Sequence, residues 1–275
     1  MQQVVRTTIK KVNNGNSTDA DDLLAAEEPL EIRLEFTDGS KRTQKSLSVT
    51  MRTPGHDFEL ATGFLYTEGI ITSATDIEAI NNCKTDNKNI VCISLQNSIK
   101  PNIGNLERNF YTTSSCGVCG KASIESVKTV CPIPDSLDSL RIAYTLICQL
   151  PDKLRAQQDV FENTGGLHGC ALFDLNGNLL LSREDVGRHN ALDKLIGAAL
   201  NLNMLPLDKH ILMLSGRASF ELVQKAIMAG VKLIAAVGAP SSLAAEMAEE
   251  RGITLIGFLR GERFNIYSGA ERIIV

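Results

Sequence analysis

The most reactive groups in the sequence are two cysteines in a glycine-flanked run, Ser114-Ser115-Cys116-Gly117-Val118-Cys119-Gly120. A thiolate there could attack a persulfide and then present its own terminal sulfur to an acceptor, which a lowered thiol pKa and physical access both favour. Gly117 and Gly120 remove bulk beside each sulfur and let the chain bend. Spacing alone leaves three chemistries open: a metal site, a redox disulfide and a persulfide carrier. A thioredoxin-type pair should follow a strand and open a helix, whereas the lead-in here is irregular. A structural zinc wants four ligands, and His168-Gly169-Cys170 could complete a set with Cys116 and Cys119. Zinc deaminases need H-x-E with P-C-x-x-C. Cys170 and Ser115 stand at the informative positions, which argues against deamination.

Other segments could hold an anion. Ser215-Gly216-Arg217-Ala218-Ser219 and Gly238-Ala239-Pro240-Ser241-Ser242 each follow an apolar run and open a helical one. Free N–H groups and the helix dipole converge at such turns and favour phosphate. Plain N-capping by Ser219 and Ser241 is the simpler account of either turn alone. In Phe258-Leu259-Arg260-Gly261-Glu262-Arg263 two arginines flank a turn after the last strand, a fork suited to pyrophosphate, and Phe258 could pack on a flat ring. A solvated turn with an Arg–Glu pair is the alternative. Arg183-Glu184-Asp185-Val186-Gly187-Arg188-His189-Asn190 is dense in polar groups before a helix, with Asn190 a candidate N-cap and His189 able to titrate near neutrality. The same residues could form only a solvated turn. His168 stands among glycines with the same two readings, and His56 reads as structural.

The elements that must position these groups follow from periodicity. Leu30–Phe36 alternates with period two, and Asp38-Gly39 with Lys41–Val49 completes a hairpin. A helix after Pro54 aligns Leu60, Phe64 and Leu65 and ends at Glu68-Gly69, and Ile90–Leu95 reads as a strand. The polar segment Asn13–Glu28 reads as an irregular connection, and Gln96–Ser115 as a long mobile one marking a domain boundary. Helical patterns cover Ser136–Gln149 and Asp152–Glu162, and Asn176-Gly177 joins Cys170–Leu175 to Asn178–Arg183 as a hairpin. Then helix Asn190–Asn201, strand Ile211–Leu214, helix Ser219–Ala229, strand Val231–Val237, helix Ser241–Arg251 and strand Ile253–Phe258 alternate. Such alternation predicts parallel strands with covered faces, an α/β arrangement. The expected organisation is an α+β region over 1–113 and an α/β domain over 114–275.

With 275 residues, 43% of them hydrophobic, the chain can build a substantial core. No apolar run approaches the roughly 18 residues of a membrane span, and the first residues lack an apolar signal region, so the expectation is a soluble cytoplasmic protein. A formal charge of −4, 5% aromatic residues and no Trp argue against nucleic-acid binding. The seven cysteines read as reduced thiols rather than a disulfide framework.

Gly63-Phe64-Leu65 with Glu68-Gly69-Ile70, Ser115 through Gly120, Gly166-Leu167-His168-Gly169-Cys170-Ala171 and Arg183 through Ala191 occur in an order and spacing that resemble one family. Ser215-Gly216-Arg217, Val237 through Ser242 and Phe258 through Tyr267 extend the match from about residue 30 to the end. That family is the formate dehydrogenase accessory sulfurtransferases (FdhD). The resemblance implies a cytidine-deaminase-like fold for the C-terminal domain. It also implies that a cysteine desulfurase loads sulfur onto Cys116, with Cys119 assisting or resolving. The sulfur would pass to molybdenum bis(molybdopterin guanine dinucleotide), held along Phe258, Leu259, Arg260, Gly261, Glu262 and Arg263, before that cofactor enters formate dehydrogenase. No resident metal is implied. A two-armed cofactor makes a symmetric homodimer attractive.

Overall fold

The computed structural model describes residues 2–83, 88–101 and 140–275. Val4–Asn13 (β1) and Asn16–Ala25 (β2) pair as an antiparallel ribbon, where an irregular connection was expected over Asn13–Glu28. The turn is Asn14-Gly15, both with positive φ, the requirement of a tight hairpin turn. Most ribbon residues are exposed, so no buried face imposed an apolar alternation on the sequence.

The first core forms next. β3 (Glu28–Asp38) buries Leu30, Ile32, Leu34 and Phe36 at every second position, and Gly39 turns the chain into β4 (Lys41–Arg52). α1 (Asp57–Thr67) covers this sheet with Leu60, Ala61 and Leu65. β5 (Ile77–Asn82) and β6 (Ile90–Leu95) complete the order β4-β3-β6-β5, with β3 and β6 parallel. Cys83, after β5, is joined to Cys92 on β6 in a disulfide. This corrects the expectation that every cysteine is a free thiol, since adjacent strand positions bring these two side by side. Cys148 and Cys170 are free.

The rest of the described chain builds the larger sheet. β7 (Ile142–Ala143) leads into α2 (Tyr144–Arg155), followed by α3 (Asp159–Thr164). The sequence pattern placed a break between residues 149 and 152, but α2 continues through Pro151. A proline inside a helix costs about 3 kcal/mol. Burial of Ile147, Leu150 and Leu154 along one face of α2 offsets it.

β8 (His168–Phe173), β9 (Leu179–Asp185), α4 (Arg188–Asn201), β10 (Ile211–Leu214), α5 (Phe220–Met228), β11 (Leu233–Ala236), α6 (Ser242–Glu250), β12 (Thr254–Arg260), β13 (Arg263–Ser268) and β14 (Ile273–Ile274) follow. The sheet order is β13-β12-β11-β10-β8-β9, with β10, β11 and β12 parallel and the flanking pairs antiparallel. Leu212, Leu214, Ile234, Ala236 and Leu255 pack under α4, α5 and α6. Ile211, Met213, Leu233, Ala235 and Ile256 pack toward α2 on the other face. Strands buried on both faces read as continuous apolar runs, and the mixed α/β class is as expected.

The two layers meet where α1 crosses α4. A Cβ on Gly63 would fall onto the Asp193 carbonyl, and one on Gly197 onto the Glu59 carbonyl. The helices approach so closely because both positions lack a side chain. No helix among the described residues is long and apolar enough to cross a membrane.

Candidate functional site

Parallel strands leave their carboxyl ends along one edge, and the connections there are laced by backbone bonds. Val237 N donates to Leu214 O (3.0 Å), Gly238 N to Gly216 O (2.9 Å) and Ser241 N to Ala218 O (3.1 Å). Phe258 N reaches Gly238 O at 3.1 Å, tying the end of β12 to the same place. A Cβ on Gly238 would stand 2.8 Å from Arg217 N, so only glycine allows the two turns to nest. β8 runs antiparallel to β10, which brings His168 to this edge, its Nδ1 3.2 Å from where a Gly216 Cβ would be. The two glycine turns, His168 and Phe258 therefore share one edge.

The serines of the two turns divide. Ser241 caps α6, its Oγ accepting from Ala244 N at 3.3 Å. Ser219 makes no cap bond, and its hydroxyl lies 3.5 Å from His189 Nε2. Ser215 is engaged inside the sheet, its Oγ accepting from Gly169 N at 2.8 Å.

The polar turn Arg183–Asn190 is mostly internal. Arg183 forks onto Glu59 of α1 with bonds of 2.5 and 2.7 Å. Glu184 accepts from the N–H groups of Val160 and Phe161 at the start of α3. Asp185 is fully buried and pairs with Lys194 at 2.7 Å, while Thr53 N and Gly187 N donate to its carboxylate. Asn190 is not the N-cap that its sequence position suggested. Gly187 holds the cap position, and the Asn190 amide donates to Met51 O at 2.8 Å and to Asp185 at 3.1 Å. This turn therefore fastens the N-terminal sheet to the larger one, with little of it solvated.

Electrostatics single out what remains. Burial, then the charges of Arg188 and His189, hold His168 below the usual histidine value, opposed by Asp185, and Arg217 adds to the lowering. Burial raises Glu221, but its hydrogen bonds with His189 and Ser219 prevail and bring it to about 2. The Nε of Arg188 is buried and has no hydrogen-bond partner among the described residues.

The zinc alternative joined Cys116 and Cys119 to His168 and Cys170. Cys170 lies in the apolar core, and burial pushes its thiol strongly upward, the opposite of what a thiolate ligand needs. Among the described residues no group of three or more His, Cys, Asp or Glu side chains could hold a metal. Cys116 and Cys119 fall outside the described residues, as do the expected boundary at 113/114 and the start of the expected helix at Ser136.

Phe258–Arg263 was expected as a turn just past the carboxyl end of the last parallel strand. It lies instead within the β12–β13 hairpin, with positive φ at Phe258 and Gly261 and a register shift between Gly257 and Arg260. Across that irregularity Ile256 and Leu259 reach the same core, although an uninterrupted strand would point them to opposite faces. Phe258 is 44% exposed, whereas the Leu259 side chain is fully buried in the core beside α2 and can offer a ligand only its backbone. Arg260 and Arg263 are direct cross-strand partners, both exposed, and neither forms an ion pair among the described residues.

The FdhD/NarQ family model matches residues 25–274. The chain belongs to the FdhD/NarQ family. It is 49% identical to a sulfur carrier protein FdhD of Streptomyces coelicolor over 98% of this chain and 95% of that protein. A sulfur carrier protein FdhD of Mycolicibacterium paratuberculosis is 47% identical over 99% of this chain and all of its own length. A crystal structure from Desulfotalea psychrophila, of a candidate formate dehydrogenase accessory protein, superposes with a TM-score of 0.76 over 99% of this chain and 100% of that one. At 24% identity it attests the fold alone.

Two residues of the edge were not singled out from the sequence. Arg188 was one charge among many in its turn, and Arg217 was read only as part of a glycine turn. The signal available was position, since Arg188 follows the glycine at the α4 cap and Arg217 lies in the glycine turn between β10 and α5.

Proposed function

We propose that this protein is a sulfur carrier that takes sulfur from a cysteine desulfurase on Cys116 and delivers it to molybdenum bis(molybdopterin guanine dinucleotide) destined for formate dehydrogenase. The observation that carries the reading is the 49% identity, over 98% of the chain, to a protein named as a sulfur carrier. The cysteine pair in its glycine-flanked run supplies the chemistry.

In the loading step the Cys116 thiolate attacks the terminal sulfur of the donor's persulfide. The donor S–S bond breaks, the donor leaves as a thiolate, and Cys116 holds the sulfur with no net oxidation. In delivery Cys119 assists or resolves. If its thiolate attacks the Cys116 sulfur, sulfide passes to the acceptor and a Cys116–Cys119 disulfide remains, which an external dithiol reduces.

The acceptor is a substrate that must be gripped by its nucleotide arms. Phe258 offers an exposed ring, and Arg260 with Arg263 offers paired positive charge in the same hairpin. A symmetric homodimer would present two such hairpins to the two guanine arms.

Incubation with a cysteine desulfurase and free cysteine, followed by peptide mapping under non-reducing conditions, tests the central step. The Cys116 peptide should gain one sulfur atom that dithiothreitol removes, and Cys116→Ala should leave formate dehydrogenase inactive in cells. A Cys116 peptide that stays unmodified, or a fully active formate dehydrogenase beside Cys116→Ala, overturns the reading.

A further inference from the structure

The outer strand of the N-terminal sheet is held unevenly along its length. Among the described residues β5 pairs only with β6, and its register shifts between Ile77 and Ala79. None of its residues is fully buried, and Ile77 and Ile80 reach the first core only in part. Its start is well fastened. Asp76, just before it, accepts from Thr72 N at 2.7 Å and Ser73 N at 3.1 Å, and its carbonyl accepts from Gln96 N at 2.9 Å. Arg42 pairs with Glu78 at 2.9 Å. At the far end Asn81 and Asn82 are exposed, and Cys83 N donates to Ile90 O at 3.0 Å. The covalent tie at that end is the Cys83–Cys92 disulfide.

That bond lies on the open face of the sheet. Val91 and Ile93 point into the core beneath α1, so Cys92 between them points the other way. Its register partner on β3 is Arg33, and Gln44 Nε2 donates to its Sγ at 3.5 Å. Both cysteines are half-buried, and the first core contains neither. A disulfide that outside thiolates can reach exchanges with them. A cross-link of this kind acts mainly by restricting the opened chain. Here it restricts the far half of β5, the part that burial and ion pairs hold least, while the core under α1 stands without it.

We infer that Cys83–Cys92 is a redox-sensitive clasp, opened by a dithiol, whose reduction frees the far half of β5 from β6. One thiolate of the dithiol attacks a sulfur of the pair, the Cys83–Cys92 bond breaks, and a mixed disulfide forms. The second thiolate of the dithiol displaces the cysteine still bound. The dithiol leaves as a disulfide, and its two protons end on Cys83 and Cys92. The clasp itself does not depend on sulfur transfer. One consequence rests on the proposed function: the dithiol that resets Cys116–Cys119 would also loosen the strand beside β6, from which the chain runs on toward Cys116.

The test uses the full chain with Cys116→Ala and Cys119→Ala, so that its outcome is independent of sulfur loading. Dithiothreitol is titrated in under native conditions, followed by alkylation with peptide mapping and by hydrogen exchange. Without reductant the Cys83 and Cys92 peptides should stay unalkylated and joined, and with it both should be alkylated while the protein remains folded. Amides of Ile80–Asn82 should then exchange faster by about tenfold or more, with those of β3 and α1 unchanged. Adding Cys83→Ser and Cys92→Ser should give the same fast exchange with no reductant present. Alkylation of both cysteines before any reductant is added overturns the clasp. So does a disulfide that yields only when the whole sheet unfolds, or reduction that leaves β5 exchange unchanged. Each of these results leaves Cys116 loading, measured on the wild-type chain, untouched.

Discussion

Arg183, Glu184, Asp185 and Asn190 each end on a named partner inside the molecule, whereas Arg260, Glu262 and Arg263 all face solvent. In sequence the two segments look alike, as charged residues around a glycine beside a secondary-structure boundary. Their surroundings separate them. The first turn lies under α1 and β4, so these four residues must be paired or they would be buried alone. The second projects from the sheet on a hairpin, where like charges can stand side by side in water. A run of charges is thus a fastener when another layer crosses it, and a possible ligand grip when none does.

The sharpest way to break this comparison is Asp185→Ala. It leaves Lys194 buried at 1% exposure without its carboxylate. Removing one partner of a buried pair costs ~3–5 kcal/mol. Urea unfolding should show that loss, while Arg260→Ala should stay within about 0.5 kcal/mol of the wild type. Equal stability of the two variants would erase the distinction.

A smaller effect should follow the Arg183–Glu59 fork. Burial raises Glu59, but the hydrogen bond from Arg183, then that from His56, prevail and lower it from 4.5 to about 2. A carboxylate lowered in the folded state adds stability that is fully present above its unfolded value near 4.5 and is lost as the pH falls toward about 2. Glu59→Gln should therefore cost up to ~3 kcal/mol at neutral pH, and the gap should close across that acidic window. A gap that persists at pH 2 would mean that packing, not charge, holds this joint.

Much of the fold was legible because period and burial agreed. Ile90–Leu95 and Ile211–Leu214 were read to the residue, since strands buried in a sheet show their apolar pattern openly. The β1–β2 ribbon was missed because solvent on both sides left no alternation, although Asn14-Gly15 signalled its turn. The start of α4 was placed two residues late, since Asn190 resembles a cap while Gly187 holds that position. The edge was legible in part. Both glycine turns follow from strand–Gly–helix order, but the Asp185–Thr53 contact spans 132 residues and leaves no trace in a single sequence. The placing of Leu259 in the same core as Ile256, against ordinary alternation, goes with a positive φ at Phe258, a non-glycine residue, which sequence does not announce.

The smallest expected effect bears on the exposed side of the comparison and has opposite signs for stability and binding. Arg260 and Arg263 are direct cross-strand partners, and like charges placed so are destabilising by roughly 0.2–1 kcal/mol. Replacing both with Ala should therefore leave unfolding unchanged or slightly harder, most visibly at low salt, where screening is weak. The same change should weaken guanosine diphosphate by ~1.5–3 kcal/mol for each charge-assisted bond lost. Arg263→Glu sharpens the point, because it turns repulsion into attraction across the ladder and should stabilise the hairpin while repelling the nucleotide. A pair kept together against its own electrostatics makes physical sense if an anion neutralises it. If both variants lose stability and bind the nucleotide as the wild type does, the hairpin charges serve the fold, and the contrast with Arg183–Asn190 disappears.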